Sequence, residues 1–462
     1  MSIEGRESIG EFADARRRAR GAWLFERVVS TGSLVLRRIG GNRAGEVAVN
    51  RFLSSPEVSA EEIVATVGCR TGERCRGRRI VAAQDTTEIN FSGRDRARRG
   101  LGAAGDGSTP GFFIHSLVAI DADEEAMLGL LDASIWTRAA TSGGLAARRK
   151  RRLEEKESQR WLAAAQVAMQ RAGEASTLIL VGDRESDIYP LFARRPVAIG
   201  SRPAGCELVI RAAQDRALED GGQLFAQAGQ WRVLKRYQLQ LVPRHPGEKP
   251  RKAWISLRAG VVRIKRPQHG DRADPPHLDL TLVEAREEAP PPSTEPVHWR
   301  LLTTLPVETG ADGAEIVRLY RLRWRIEQVH RALKNHGFQL PQTQLHDADR
   351  LFKLAAIGIA AAVRTIQLVD ARDGSTRPAS DVADERVLDA AEVIGPTLEG
   401  KTVRQKNPHP TRSLPWLAWI IARLGGWNCY YKPPGPKTMR AGWDRFAAMA
   451  AGFLLAQPLR PA

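Results

Sequence analysis

Cysteine is scarce in this chain: four residues in 462, at Cys69, Cys75, Cys206 and Cys429. That excludes a disulfide-stapled scaffold, and the spacing of Cys69 and Cys75 fits neither a zinc knuckle nor a redox pair. The thiols read as idle groups in a reducing compartment. Long apolar runs are also missing. The longest, 354–363, is bounded by Lys353 and Arg364 and is too short to cross a bilayer. Near the amino terminus Glu4 and Glu7 stand where a signal peptide would need an apolar stretch. The expectation is a cytoplasmic protein with no membrane partner. Acidic residues are in deficit, 53 against 70 lysines and arginines, for a formal charge of +17. A coding bias toward arginine explains the choice of base but not the excess of bases over acids, and a polyanionic partner, nucleic acid, accounts for it.

What is present is most concentrated between Tyr320 and Lys334. At about 100° per residue, a continuous helix there gathers Tyr320, Arg323, Glu327, His330 and Lys334 within an arc of roughly 80°. Leu319, Leu322, Ile326, Val329 and Leu333 form a second, apolar stripe. A lone carboxylate set among two bases, a phenol and an imidazole suits a site that holds a cation and a phosphate together.

The length predicts two to four domains. Helices are expected over 11–29, over 45–53, and from a cap at Ser59 followed by Glu61 and Glu62, giving a small basic module. Short apolar runs at 80–83, 112–120 and 127–136 read as consecutive strands of one sheet, the first stopping at Asp85. A helix over 153–172, a buried strand over 177–181 and another helix near Asp187 follow. The strand-rich stretch at about 205–305, with 231–242, 253–265 and 278–283 as runs, reads as an inserted β region. Beyond 373 the chain is helical. The fold expected is mixed α/β, with helical domains at 1–70 and 373–462 around a catalytic domain at 71–372.

Asp85 lies in QDTTEIN and Asp183 in VGDRESD, each at the end of a predicted strand, and Glu327 on the polar helix face. If the strands are neighbours and the helix packs across their ends, three carboxylates meet. Such oxygen donors suit hard divalent cations that share a phosphate.

These motifs, with EKESQRWLAAA, YRLRWRIEQVHRALK, RFLSSPEVSAEEI and IARLGGW, resemble the DDE transposases of the RNase H-like superfamily. The similarity is to the bacterial cut-and-paste, transposon-five type of the insertion-sequence-four group. It implies an RNase H-like core with a β insertion, an amino-terminal domain that binds transposon ends, and a carboxyl-terminal dimerisation domain. It implies Asp85, Asp183 and Glu327 as the catalytic triad, holding two Mg²⁺ or Mn²⁺ ions. Tyr320, Arg323 and Lys334 would then grip phosphates of double-stranded DNA, and Trp299 would stack on a base taken out of the helix, with Trp324 beside the site. The activity implied is strand nicking, hairpin formation and resolution, and strand transfer, by a homodimer in a synaptic complex with end and target DNA. Phe112 and Phe113 stand where the family pattern has paired tryptophans.

Each residue has a plainer role beside the functional one. Asp187 and Glu88 rival Asp183 and Asp85 but lie past the strand ends; Asp187, Thr86, Thr87 and His330 are expected to support the site, not to ligate metal. Arg211 either contacts DNA or covers a sheet edge, Trp299 either stacks on a base or packs a core, and Arg16, Arg17 and Arg20 either contact end DNA or form a solvated helix face. Two other functions compete: a non-cutting end-binding regulator, and a structure-selective RNase H-like nuclease.

Overall fold

The computed structural model describes residues 7–91, 100–104, 109–138, 156–197, 205–241, 250–292, 294–334 and 337–456. Glu4, 153–155 of the expected helix, and residue 242 of the expected β run fall outside them. The helices, in chain order, are α1 (Ala15–Thr31), α2 (Leu36–Gly40), α3 (Arg43–Leu53), α4 (Ala60–Cys75), α5 (Gln159–Ala172), α6 (Tyr189–Ala193), α7 (Leu224–Gln230), α8 (Gly310–Leu322), α9 (Trp324–Lys334), α10 (Ala348–Ala371), α11 (Glu385–Thr397), α12 (Leu414–Leu424) and α13 (Pro436–Ala456). The strands are β1 (Arg79–Asn90), β2 (Gly102–Ala104), β3 (Thr109–Asp121), β4 (Met127–Trp136), β5 (Thr177–Gly182), β6 (Cys206–Arg211), β7 (Lys235–Leu241), β8 (Arg251–Lys265), β9 (His277–Glu288) and β10 (His298–Thr303). The chain divides into two compact units, one of Cys75–Asp85 and Gly144–Trp324, the other of Met1–Arg74, Thr86–Gly143 and Arg325–Ala462.

The first unit is a sheet with helices on it. Its strands run in the order β1, β5, β6, β10, β9, β8, β7. β1, β5 and β6 are parallel, whereas β10, β9, β8 and β7 are joined antiparallel. The parallel-paired stretches, 80–83 of β1, 178–182 of β5 and 208–210 of β6, are short and apolar, as strands covered on both faces are. β6 belongs to this core: it pairs with β5 from Leu178↔Cys206 to Gly182↔Ile210. Beyond β6 the strands β10, β9, β8 and β7 of the expected β region continue the same sheet.

The second unit holds the other half of β1, the strands β2 to β4, and most of the helices. β3 pairs antiparallel with β2 and β4. α1 starts at Asp14, whose carboxylate accepts from the amides of Arg16 and Arg17, and stops at Gly32 in the left-handed region (φ 54°). Ser59 Oγ accepts from the Glu62 amide at 3.0 Å, the cap expected for α4. The apolar run 354–363 lies within α10, which is 24 residues long and apolar enough by length and composition to span a membrane; 94% of its most apolar window is buried in the protein. Its Lys353 ammonium is satisfied by the carbonyls of Leu53 and Ser55 and by Asp349.

β1 differs from its expected bounds. It does not stop at Asp85 but continues through Thr86, Thr87, Glu88 and Ile89 to Asn90. The run 80–83 is continuously buried, and beyond Asp85 the pattern becomes an alternation in which Thr87 and Ile89 are buried and Glu88 and Asn90 are not. One strand thus carries two kinds of surroundings, and an apolar-run criterion sees only the first.

Candidate active site

In the sheet unit, β1 and β5 lie side by side and parallel, with Ala83 opposite Val181 as the last registered pair. Two residues beyond each of these come Asp85 and Asp183. Residues two apart share a face, so the register carries both aspartates to the same level and side of neighbouring strands about 4.8 Å apart.

Asp183 is extended (φ −86°, ψ −164°) and caps the 3₁₀ turn Arg184–Ser186: its Oδ1 accepts from the Glu185 amide at 2.9 Å. Ser186 Oγ donates to the Asp183 carbonyl at 2.7 Å. A Cβ on Gly182 would lie 2.1 Å from that same Oγ, which is why glycine precedes the aspartate. Asp187, in the same motif, has different surroundings. It is fully buried, its Oδ2 accepting from the amides of Ala213 (2.7 Å) and Gln214 (3.0 Å) and its Oδ1 from Arg216 at 2.6 Å. Both of its oxygens hold a loop in place.

Arg323 Nη1 lies 3.0 Å from Asp85 Oδ2, with the two side chains 12% and 17% exposed. The arginine occupies the single residue between α8 and α9. The expected continuous helix is interrupted there: the Arg323 amide bonds to Tyr320 O at 3.1 Å, a shortened step, while its dihedrals stay helical (φ −51°, ψ −33°). α8 begins with a capping box in which Thr309 and Asp312 exchange bonds. Glu315 then ties this helix to β1, through Arg79 at 2.5 Å, and to Arg318 at 2.7 Å. The hydrogen bond from Arg318, with that from Arg79, holds the Glu315 carboxyl below its ordinary range against the effect of burial.

Tyr320 is buried and packs edge to face on Trp299 of β10, ring centroids 5.8 Å apart. The two aromatic residues expected at DNA therefore touch each other in this structure. Trp324 opens α9 half-buried, and Arg211 ends β6 half-buried opposite Leu301.

In the helical unit, α9 presents Glu327 half-buried, His330 buried and Lys334 half-buried. His330 Nε2 is 3.1 Å from Ser116 Oγ, and Lys334 Nζ is 3.5 Å from the Glu88 carbonyl. Thr86 Oγ1 is 2.9 Å from His115 Nδ1, and Thr87 is buried. His115 and Ser116 were not singled out from the sequence, though two adjacent polar residues inside the apolar strand β3 were a visible signal. Phe112, next to them, packs against Phe91 and Phe352. Of the amino-terminal arginines, Arg16 is exposed, Arg17 donates to the Phe12 carbonyl at 3.2 Å, and Arg20 lies 5.1 Å from the Trp23 ring. A hollow of about 700 Å³ in this unit is lined by Arg37, Asn42, Arg43, Asn50, His346 and Arg350 among others.

Among the described residues no group of three or more His, Cys, Asp or Glu side chains is gathered closely enough to hold a metal ion. Asp85 and Asp183 nonetheless offer the right donors for a hard cation, acceptor-only carboxylates at one level of the sheet, and Arg323 already places positive charge against one of them.

A mixed α/β core with one aspartate within β1 and another directly after the neighbouring parallel strand β5 is consistent with an RNase H-like fold. Residues 191–364 match the family model described as the transposase DDE domain, and this similarity supports a transposase of the DDE type. The matched stretch contains Trp299, Tyr320, Arg323, Glu327 and Lys334; Asp85 and Asp183 precede it.

Proposed function

We propose that this protein is a cut-and-paste DNA transposase of the transposon-five type, and that Asp85, Asp183 and Glu327 are its catalytic carboxylates. The observation that carries the reading is the β1–β5 register, which brings two aspartates remote in sequence to one level of the sheet. Support comes from the transposase DDE match over the stretch that holds Glu327.

In this reading Asp85 and Asp183, with Glu327, hold two divalent ions, Mg²⁺ or Mn²⁺. Metal held by these residues would supply activation of a water or 3′-hydroxyl and charge stabilisation at the leaving oxygen. Arg323 and Lys334 grip phosphates, the former by a bidentate fork and the latter as a point charge. Arg323 keeps Asp85 charge-balanced before DNA arrives. Trp299 leaves Tyr320 to stack on an extruded base, which offsets the stacking lost when a hairpin end is made. Arg16, Arg20 and the hollow beside Arg37 and Arg350 face end DNA, and two chains act together in a synaptic complex.

The test is a linear DNA carrying the inverted repeats that flank the gene, incubated with the protein and Mg²⁺ or Mn²⁺. Hairpin and excised products are expected. Binding without any cleavage in either metal would sink the proposal and favour a non-cutting regulator, and cleavage indifferent to the repeats would favour a nuclease.

A further inference from the structure

From residue 401 to residue 443 the chain contains no aspartate or glutamate, where its average composition puts about five, yet it holds eight lysines and arginines. The structure draws the start of this acid-free stretch against its middle. Arg423 on α12 donates to the Leu398 carbonyl through Nε (3.1 Å) and Nη2 (2.8 Å), and to the Trp427 carbonyl through Nη1 (2.8 Å). It thereby fastens the loop at 398–407 to the loop at 427–432. At their tips Thr402 Oγ1 and Tyr430 OH are 2.6 Å apart.

The joined loops expose an unusual set of side chains. Tyr431 is 81% exposed and Val403 90%, and Lys401, Arg404 and Lys432 are exposed beside them. Glu399, the acid that precedes the stretch in sequence, is taken by Lys406 at 3.0 Å and by the Asn407 amide at 3.0 Å. The surface is therefore cationic, and its aromatic members carry hydroxyls. Lysine, arginine and tyrosine hydroxyls are the groups that meet phosphate oxygens in protein–DNA interfaces, positioning a duplex without reading it.

We infer that the paired loops at 401–406 and 427–432 are a second DNA-contact surface, which takes duplex DNA by its backbone and without sequence preference. This rests on the transposase reading, in which a second duplex must be engaged besides the element's own ends.

The test is fluorescence anisotropy of the full chain on a random-sequence duplex over a range of salt. The combined variant Lys401→Ala/Arg404→Ala/Lys432→Ala is expected to lower the slope of log affinity against log salt by about 2 to 3, at roughly 0.9 per phosphate contact, and to weaken low-salt binding at least tenfold. The charge-conserving Lys401→Arg/Lys432→Arg keeps the parent's slope, and Tyr431→Ala weakens binding without changing it. A combined variant with the parent's affinity and slope overturns the inference. So does an equal loss of affinity for poly-glutamate, which would make the surface a general anion patch. Because the readout is binding, a parent that cuts no DNA refutes the transposase reading while leaving this surface to be judged on its own.

Discussion

Arg323, at the junction of α8 and α9, reaches β1 and sets its guanidinium 3.0 Å from the Asp85 carboxylate, with both groups largely withdrawn from water. The arginine is thus a built-in competitor for any cation that Asp85 is to hold. Removing it as Arg323→Gln is expected to tighten Mn²⁺ binding on the order of tenfold, the scale of one charge-assisted hydrogen bond, while DNA cleavage falls. Calorimetric titration with Mn²⁺ decides this, and an unchanged affinity means that the pair does not compete with metal.

Asp85→Ala, Asp183→Ala and Glu327→Gln each remove one proposed ligand. Cleavage of end DNA is expected to fall at least about a hundredfold in every case, with end binding close to the parent's. A variant that cuts normally in a gel assay takes its residue out of the site.

Asp183 and Asp187 separate chemistry from architecture within one motif. Asp187→Ala leaves Arg216 buried without its carboxylate and two loop amides without an acceptor, for a loss of about 3 to 5 kcal/mol. Asp183→Ala removes one amide acceptor at a partly exposed turn and is expected to cost about 1 kcal/mol. Urea unfolding of both variants gives the comparison, and equal losses contradict it.

Asp370 gives a pH signature in the helical unit. Burial pushes its carboxyl up to about 6 from the ordinary 3.8, even though Arg325 and the Met127 amide favour the charged form. Between about pH 4 and 6 the folded chain keeps a proton that the unfolded chain has released. Stability therefore declines as pH rises through this window, by up to roughly 3 kcal/mol, and the contribution is complete only below it. Asp370→Asn is expected to flatten the decline in urea midpoints measured from pH 4.5 to 7, and an unaltered slope assigns it to other groups.

Much of the fold was legible one element at a time. β4 spans Met127–Trp136, the run expected, and α4 begins at the Ser59 cap. α2 was missed because five residues around Leu36–Gly40 carry too short a pattern to declare a helix. The second half of β1 alternates and so escapes an apolar-run pattern, and nothing local in CELVIR says that β6 will pair with β5. The interruption at Arg323 was equally hidden, since a one-residue tightening leaves helical periodicity intact on both sides. Among the candidate site residues, the sequence could not tell that Trp299 and Tyr320 would meet, or that one aspartate of DRESD would be fully buried.

By itself the sequence determined what is local or additive: the helix and strand periods, the caps, the excess of positive charge, and the order in which acidic motifs follow one another. Only the tertiary structure decided that β1 and β5 run side by side in the register that aligns Asp85 with Asp183, and that Arg423 draws two basic loops together. The reason is physical: periodicity is set by neighbours three or four residues away, whereas register and loop pairing are set by which distant surfaces bury one another.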